Sequence, residues 1–196
     1  MIDPATSALL MIDMQNGFID EASSLCVAGA RASIPACADA LKAARSAGMD
    51  IFHIRREYAA DGSDVEPVRH DIWLEGGRPL CKQGDDPTSL DAPAELEPAK
   101  GETILYKPRF SAFFDTELHK MLQKRGIETI ILIGTTTPNC IRTTCYDGLS
   151  LNYDVVIVED ATSSRTPEVQ RANIEDMDYI GATILHSREF ADQLGV

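Results

Sequence analysis

Three residues of different chemistry stand just past apolar runs of strand length. Asp13 follows Ala8-Leu9-Leu10-Met11-Ile12. A carboxylate at the end of a buried strand is costly unless it is paired or used. The plain alternative is a turn-forming Asp whose side chain caps the next loop. Lys107 ends the run Thr103-Ile104-Leu105-Tyr106 and precedes Pro108; a lysine there is ordinarily a solvated charge. Cys140 follows the run Ile130 to Ile133 and the loop Gly134 to Asn139, with a helical pattern from Ile141 to Leu151 behind it. That order puts the thiol near a helix N-terminus, where the positive end of the dipole favours thiolate. The alternative is a buried structural cysteine, which Cys145 resembles more closely. Each signal is weak alone. Together, an acid, a cation and a thiol at three strand ends supply what nucleophilic catalysis needs: a nucleophile, a base for its proton, and a positive charge that favours the anion.

The elements that must position them read as follows. Apolar runs at 8–12, 49–54, 103–106, 129–133, 155–158 and 182–185 predict six strands, the first a continuous apolar run suited to a parallel strand buried on both faces. Residues 33–48 predict a helix, with Ile34, Ala38, Leu41 and Ala44 at helical spacing and Gly48 as its stop. Further helical patterns lie near 115–125, 139–151 and 167–179. Strands alternating with helices predict an α/β fold with a mostly parallel sheet and right-handed crossovers. In such sheets the active site lies at the carboxyl ends of the strands. Residues 56–101 break the pattern. They are rich in proline, glycine and charge, with Trp73 as the main apolar anchor, and predict an irregular excursion carrying a short helix near 64–74.

Composition bounds the possibilities. The 196 residues suit a single domain, 1–196, large enough to fold without a disulfide or metal staple. The chain has 18 Lys and Arg against 31 Asp and Glu, a net charge of −13. That balance opposes nucleic acid and anionic membrane as partners, since both require a positive field. A small anionic substrate, which responds to local charge, stays open. No apolar stretch reaches membrane-spanning length, and the N-terminus has no secretory pattern. Five cysteines, an odd number without metal or disulfide spacing, fit a reducing cytosol with at least one free thiol.

Four blocks carry a resemblance to a known family: Ala8-Leu-Leu-Met-Ile-Asp-Met-Gln-Asn-Gly-Phe18, Lys107-Pro-Arg-Phe-Ser-Ala-Phe113, Gly134-Thr-Thr-Thr-Pro-Asn-Cys-Ile141 and Val158-Glu-Asp-Ala-Thr162. In this order they resemble the isochorismatase-like cysteine hydrolases, which include nicotinamidases, N-carbamoylsarcosine amidases, ureidoacrylate and biuret amidohydrolases, and isochorismatases. The resemblance implies a three-layer, Rossmann-like sheet of six strands in order 3-2-1-4-5-6 without a dinucleotide. No G-x-G-x-x-G follows the first strand, in keeping with that absence. It also implies a triad of Asp13, Lys107 and Cys140, a cis peptide at Thr135–Thr136, and an oxyanion hole from backbone N–H groups near Thr136 and Cys140. In the implied mechanism Lys107 and the helix end favour thiolate, and Asp13 takes the thiol proton and returns it to the leaving nitrogen.

Two departures from the family pattern shape the expectation. Nicotinamidases carry an Asp-Trp-His metal motif after strand two, where this chain has His53-Ile-Arg-Arg-Glu-Tyr58. No catalytic metal and no cofactor are therefore expected, and nicotinamide is disfavoured. Several isochorismatases lack the cysteine, so its presence favours amide, ureido or carbamoyl chemistry through a thioester. The rivals are hydrolysis of another bond and a non-catalytic small-molecule-binding domain of the same fold. Arg55, Arg56, Arg69 and Arg109 form a local positive set that could hold a substrate carboxylate, or could instead pair with Glu57, Asp64, Glu66 and Asp71. Phe18, Phe110, Phe113 and Trp73 are candidate pocket walls, and Asn139 and Arg142 flank the nucleophile. The family also implies a homo-oligomer.

Overall fold

The computed structural model describes all 196 residues. Its strands are β1 (Ser7–Ile12), β2 (Asp50–Arg55), β3 (Thr103–Tyr106), β4 (Thr129–Thr135), β5 (Asp154–Ser163) and β6 (Thr183–Leu185). Its helices are α1 (Asn16–Ile19), α2 (Ala30–Ser46), α3 (His70–Glu75), α4 (Leu118–Lys124), α5 (Arg142–Ser150), α6 (Pro167–Tyr179) and α7 (Ser187–Leu194). The strands form one sheet in the order β3-β2-β1-β4-β5-β6. Every pairing is parallel, so the sheet is wholly rather than mostly parallel.

Alternation along the strands builds the three layers. Leu9 and Met11 of β1, Ile131 and Ile133 of β4, and Val156 and Val158 of β5 face one side. There they pack on Ala40, Leu41 and Ala44 of α2 and Phe190 of α7. Leu10, Ile12, Ile130, Leu132, Val155 and Ile157 face the other side, against Leu118 and Leu122 of α4, Cys145 of α5, and Ile174 and Met177 of α6. Each fully buried leucine or isoleucine contributes about 1.5–3 kcal/mol. This double-sided burial is why β1 and β4 read as unbroken apolar runs.

The central strands come close at their carboxyl ends. Ile12 stands opposite both Ile54 and Gly134. Gly134 has φ +111, and a Cβ there would fall 2.1 Å from the Ile12 carbonyl oxygen. Only glycine lets the two strands meet where Asp13 and the Thr135–Thr136 segment emerge.

Several boundaries differ from the sequence reading. The helix expected at 64–74 is confined to α3. Pro67 disfavours helix at Glu66. Asp64 accepts a 2.8 Å hydrogen bond from the Ala59 N–H, and the Glu66 carboxylate turns inward, so both are held in irregular backbone. The helix expected at 139–151 begins instead with a single π turn, Thr137–Ile141, before α5. Helix α7 was not read from the sequence. A capping box between His186 and Glu189 starts it, and Phe190 docks it on the core. The excursion is a packed lobe, in which Phe18, Tyr58, Val65, Trp73, Leu80 and Cys81 form their own apolar cluster. No helix is long and apolar enough to cross a membrane.

Candidate active site

Asp13 leaves the end of β1 at φ +53, a left-handed conformation that Asp tolerates better than most residues. Its N–H donates to the Ile54 carbonyl at 2.8 Å, fixing it against β2. Lys107 leaves β3 with its N–H on the Arg55 carbonyl at 3.0 Å. The Lys107 ammonium donates to Asp13 Oδ2 at 2.8 Å and to the Arg109 carbonyl at 3.0 Å. It also lies 3.5 Å from Cys140 Sγ. Asp13, Lys107 and Cys140 are exposed by only 1%, 2% and 3%. A lysine this deep in the protein needs its carboxylate, because an unpaired buried charge is strongly destabilising. The structure thus brings together the acid, the cation and the thiol from the ends of three strands.

The thiol itself departs from the sequence expectation. Burial, reinforced by the Asp13 carboxylate, pushes Cys140 up to about 11, and Lys107 and Arg56 offset only part of this. Burial thus opposes the thiolate that Lys107 and the helix end favour. Cys140 is the fourth residue of the π turn, not the first of a helix, which weakens the dipole's help. A proton acceptor is therefore required at the moment of attack. Asp13 Oδ1 is buried and has no hydrogen-bond partner, which leaves one carboxylate oxygen open. Cys145 is buried in α5 and pushed up to about 12 by that burial.

A cavity of about 320 Å³ opens on this cluster. Its lining includes the expected Asp13, Phe18, Arg69, Thr135, Thr136, Asn139 and Cys140. The Thr135–Thr136 peptide is cis. The Thr136 and Thr137 hydroxyls donate to the Ser163 carbonyl at 3.1 and 3.0 Å, and so are committed to β5.

Four substrate-contact candidates are placed elsewhere. Arg55 reaches toward Glu97 at 3.8 Å, away from the cavity. Trp73 is 1% exposed, and its indole N–H donates to the Pro79 carbonyl at 2.9 Å, making it the centre of the lobe's core. Arg109 donates to the Asp64 and Pro108 carbonyls, at 2.8 and 2.6 Å. Arg109 and Phe110 line a neighbouring cavity, together with Arg142.

Two of the further lining residues bear chemistry that the sequence reading does not assign to the site. Arg165 follows β5, which runs five residues past its expected end and carries this cation to the catalytic edge. Cys26 also lines the cavity and is half-buried, so it is not one of the wholly buried structural thiols.

The residues present do not fit a metal. His53 is bound to Glu102 at 2.6 Å, and Glu57 is paired with Lys82 at 2.6 Å. Arg55 occupies the corresponding stretch. No three His, Cys, Asp or Glu side chains gather in metal-binding geometry.

The fold is a doubly wound parallel α/β sheet whose carboxyl edge gathers a buried acid, lysine and cysteine, the residue types that nucleophilic chemistry uses. The isochorismatase domain model matches residues 7–189, so the chain belongs to the isochorismatase family. It is 37% identical over 190 residues to a protein of Arabidopsis thaliana named probable inactive nicotinamidase, covering 96% of each chain. It is 31% identical over 192 residues to the ureidoacrylate amidohydrolase RutB of Azorhizobium caulinodans, covering 88% of this chain and 83% of the relative. The crystal structure of an isochorismatase family protein from Desulfovibrio vulgaris matches with a TM-score of 0.90 and 44% identity, covering 98% of this chain and all of that one.

Proposed function

We propose that the protein is a cysteine hydrolase that cleaves the C–N bond of a small amide, ureido or carbamoyl compound through a thioester on Cys140. The observation that carries this reading is the convergence of the Lys107 ammonium on both Asp13 and Cys140, beside an unpartnered Asp13 Oδ1. The Cys140 proton passes to Asp13 Oδ1 as sulfur attacks the carbonyl carbon. Lys107 stays positive and balances the charge on sulfur and carboxylate in turn. The C–S bond forms, the C–N bond breaks, and Asp13 returns its proton to the departing nitrogen. Water then attacks the thioester, with Asp13 taking its proton, and the thiol re-forms. The RutB relative, an amidohydrolase by name, supports C–N chemistry.

The cavity favours a substrate with an acidic group. Arg69 and Arg165 line it, and neither forms an ion pair within the chain. The one carboxylate in the lining, Asp13, is already paired with Lys107. Two guanidinium groups without ion pairs, Arg69 partly buried and Arg165 exposed at the rim, support a local anion site in a chain of net charge −13. The name of the Arabidopsis relative favours a non-catalytic binding domain as a second reading. The open proton acceptor beside the thiol weighs against it.

Ammonia release from paired N-carbamoyl amino acids and their neutral carboxamides tests both parts. The acids are expected to turn over with lower KM, and Arg69→Ala or Arg165→Ala should raise that KM about 10-fold, roughly 1.4 kcal/mol. Release from none of the amides or ureido compounds would refute the hydrolase. Equal KM for acid and amide would refute the anion site.

A further inference from the structure

Arg56 is the largest fully buried charged side chain, and the catalytic scheme leaves it unused. It is 0% exposed and directly follows β2, the strand between those that end in Asp13 and Lys107. Its backbone is clamped to the Asp13 loop. The Arg56 N–H donates to Gln15 Oε1 at 2.7 Å, and Gln15 Nε2 donates back to the Arg56 carbonyl at 2.9 Å. On the other side, the guanidinium carbon lies 5.9 Å from the ring centre of Phe110, three residues beyond Lys107.

The guanidinium is only half satisfied. Nη1 donates to the Glu66 carboxylate and, at 2.9 Å, to the Tyr58 hydroxyl, which itself donates to Glu66 at 2.8 Å. Nε and Nη2 are buried with no partner. A fully buried cation with one counter-ion and open donors is expensive for a purely structural role. Strand register sets its place: Arg55 stands opposite Tyr106, so Arg56 and Lys107 leave neighbouring strands side by side, with the Asp13 loop clamped on the other flank through Gln15.

The geometry points to Arg56 as a positioning residue, the second buried cation beneath the catalytic cluster, which eases departure of the Cys140 proton and is held in check by Glu66. This inference rests on the cysteine-hydrolase reading for its purpose, but its test needs no substrate. The charged groups around Cys140 are Asp13 after β1, Lys107 after β3 and, across the cavity, Arg69 from the excursion and Arg165 after β5, with Arg56 buried at the end of β2 behind them. Of these, Lys107 touches the sulfur and Arg56 acts from a distance. Glu66 adjusts Arg56 without touching the thiol, so the pair sets the thiol's acidity from outside the reacting atoms.

The experiment is the pH dependence of Cys140 alkylation by iodoacetamide, followed on the Cys140 peptide in the intact protein. Arg56→Met should move the midpoint to higher pH and slow labelling at fixed pH about tenfold for each unit moved. Arg56→Lys, which keeps the charge, should move it least. Glu66→Gln should move it the opposite way, to lower pH, because the guanidinium loses its counter-ion. A purely structural role would lower thermal stability in all three variants and leave the midpoint of folded protein unmoved, and that result overturns the inference. Should Arg56→Met fail to fold, the Glu66→Gln shift decides alone. A protein that shows these shifts yet hydrolyses no substrate would retain the inference and lose the functional reading.

Discussion

Lys107 Nζ holds Asp13 through Oδ2 alone, at 2.8 Å, and leaves Oδ1 buried and unpartnered. One oxygen of a single carboxylate is tied to the cation while the other is free for a proton. That division of labour is what the proposed proton-accepting role of Asp13 requires.

Asp13→Asn tests the division. The amide can still accept from Lys107 through its oxygen but cannot take the thiol proton. Turnover should fall about 10²–10⁴-fold, the usual worth of a general acid–base group. Stability should fall too, since Lys107 becomes a buried charge without a counter-ion; breaking such pairs costs about 3–5 kcal/mol. Chemical denaturation and steady-state rates measured on the same preparation separate the two effects. Undiminished turnover would remove Asp13 from the proton path.

The thiols should label in an order set by burial. Cys26 is the one half-exposed cysteine, and Cys37, Cys81, Cys140 and Cys145 are buried. In the native protein at neutral pH, Cys26 should react with iodoacetamide first, and Cys140 labelling should climb as pH rises toward 11. The sign also fixes a stability trend. Folding raises the Cys140 pKa, so the folded state holds this proton more tightly than the unfolded state. Its contribution is complete below the unfolded thiol's range near 9 and fades as pH climbs through about 11. Rapid neutral labelling of Cys140 ahead of Cys26 would contradict the burial-dominated account.

Much of this was legible in the sequence, for identifiable reasons. The strands of the central sheet are buried on both faces, so β1 and β4 advertise themselves as apolar runs, and a charge just beyond them stands out. That contrast revealed Asp13; Lys107 follows the half-exposed edge strand β3 and Cys140 a loop beyond β4, and these two stood out by their place after strand ends. The contrast could not reveal Arg165, because β5 continues through Glu159 and Asp160 and its apolar signal stops early. Within the excursion the arginines look alike in sequence. Tertiary partners sort them: Glu97 for Arg55, Glu66 for Arg56, the Asp64 carbonyl for Arg109, and the open cavity for Arg69. Depth of burial, which raises the Cys140 thiol, is likewise invisible in sequence, where only the nearby helix pattern shows.

Away from the site, Glu102 should govern acid stability. It receives hydrogen bonds from Arg45 at 2.7 Å and from the Ala99 N–H at 2.8 Å, and lies 2.6 Å from His53. Burial opposes its charge, but these partners outweigh that and pull it down to about 2. A depressed carboxylate stabilises the fold above its unfolded range near 4.5, and the contribution is lost as pH falls toward 2. Glu102→Gln should therefore lower the melting temperature at pH 7 and flatten its fall between pH 5 and 2. An unchanged acid profile in the variant would show that other groups dominate.

The thioester is the centre of the account, and it can be caught directly. Wild-type enzyme turning over an ammonia-releasing substrate is quenched in acid, and its intact mass and peptides are measured. The account predicts an added acyl mass on the Cys140 peptide, cleared by hydroxylamine, with Cys140→Ser folded but slower by at least about 1,000-fold. Continued rapid ammonia release by Cys140→Ser, with no acyl mass on any wild-type cysteine, would contradict it.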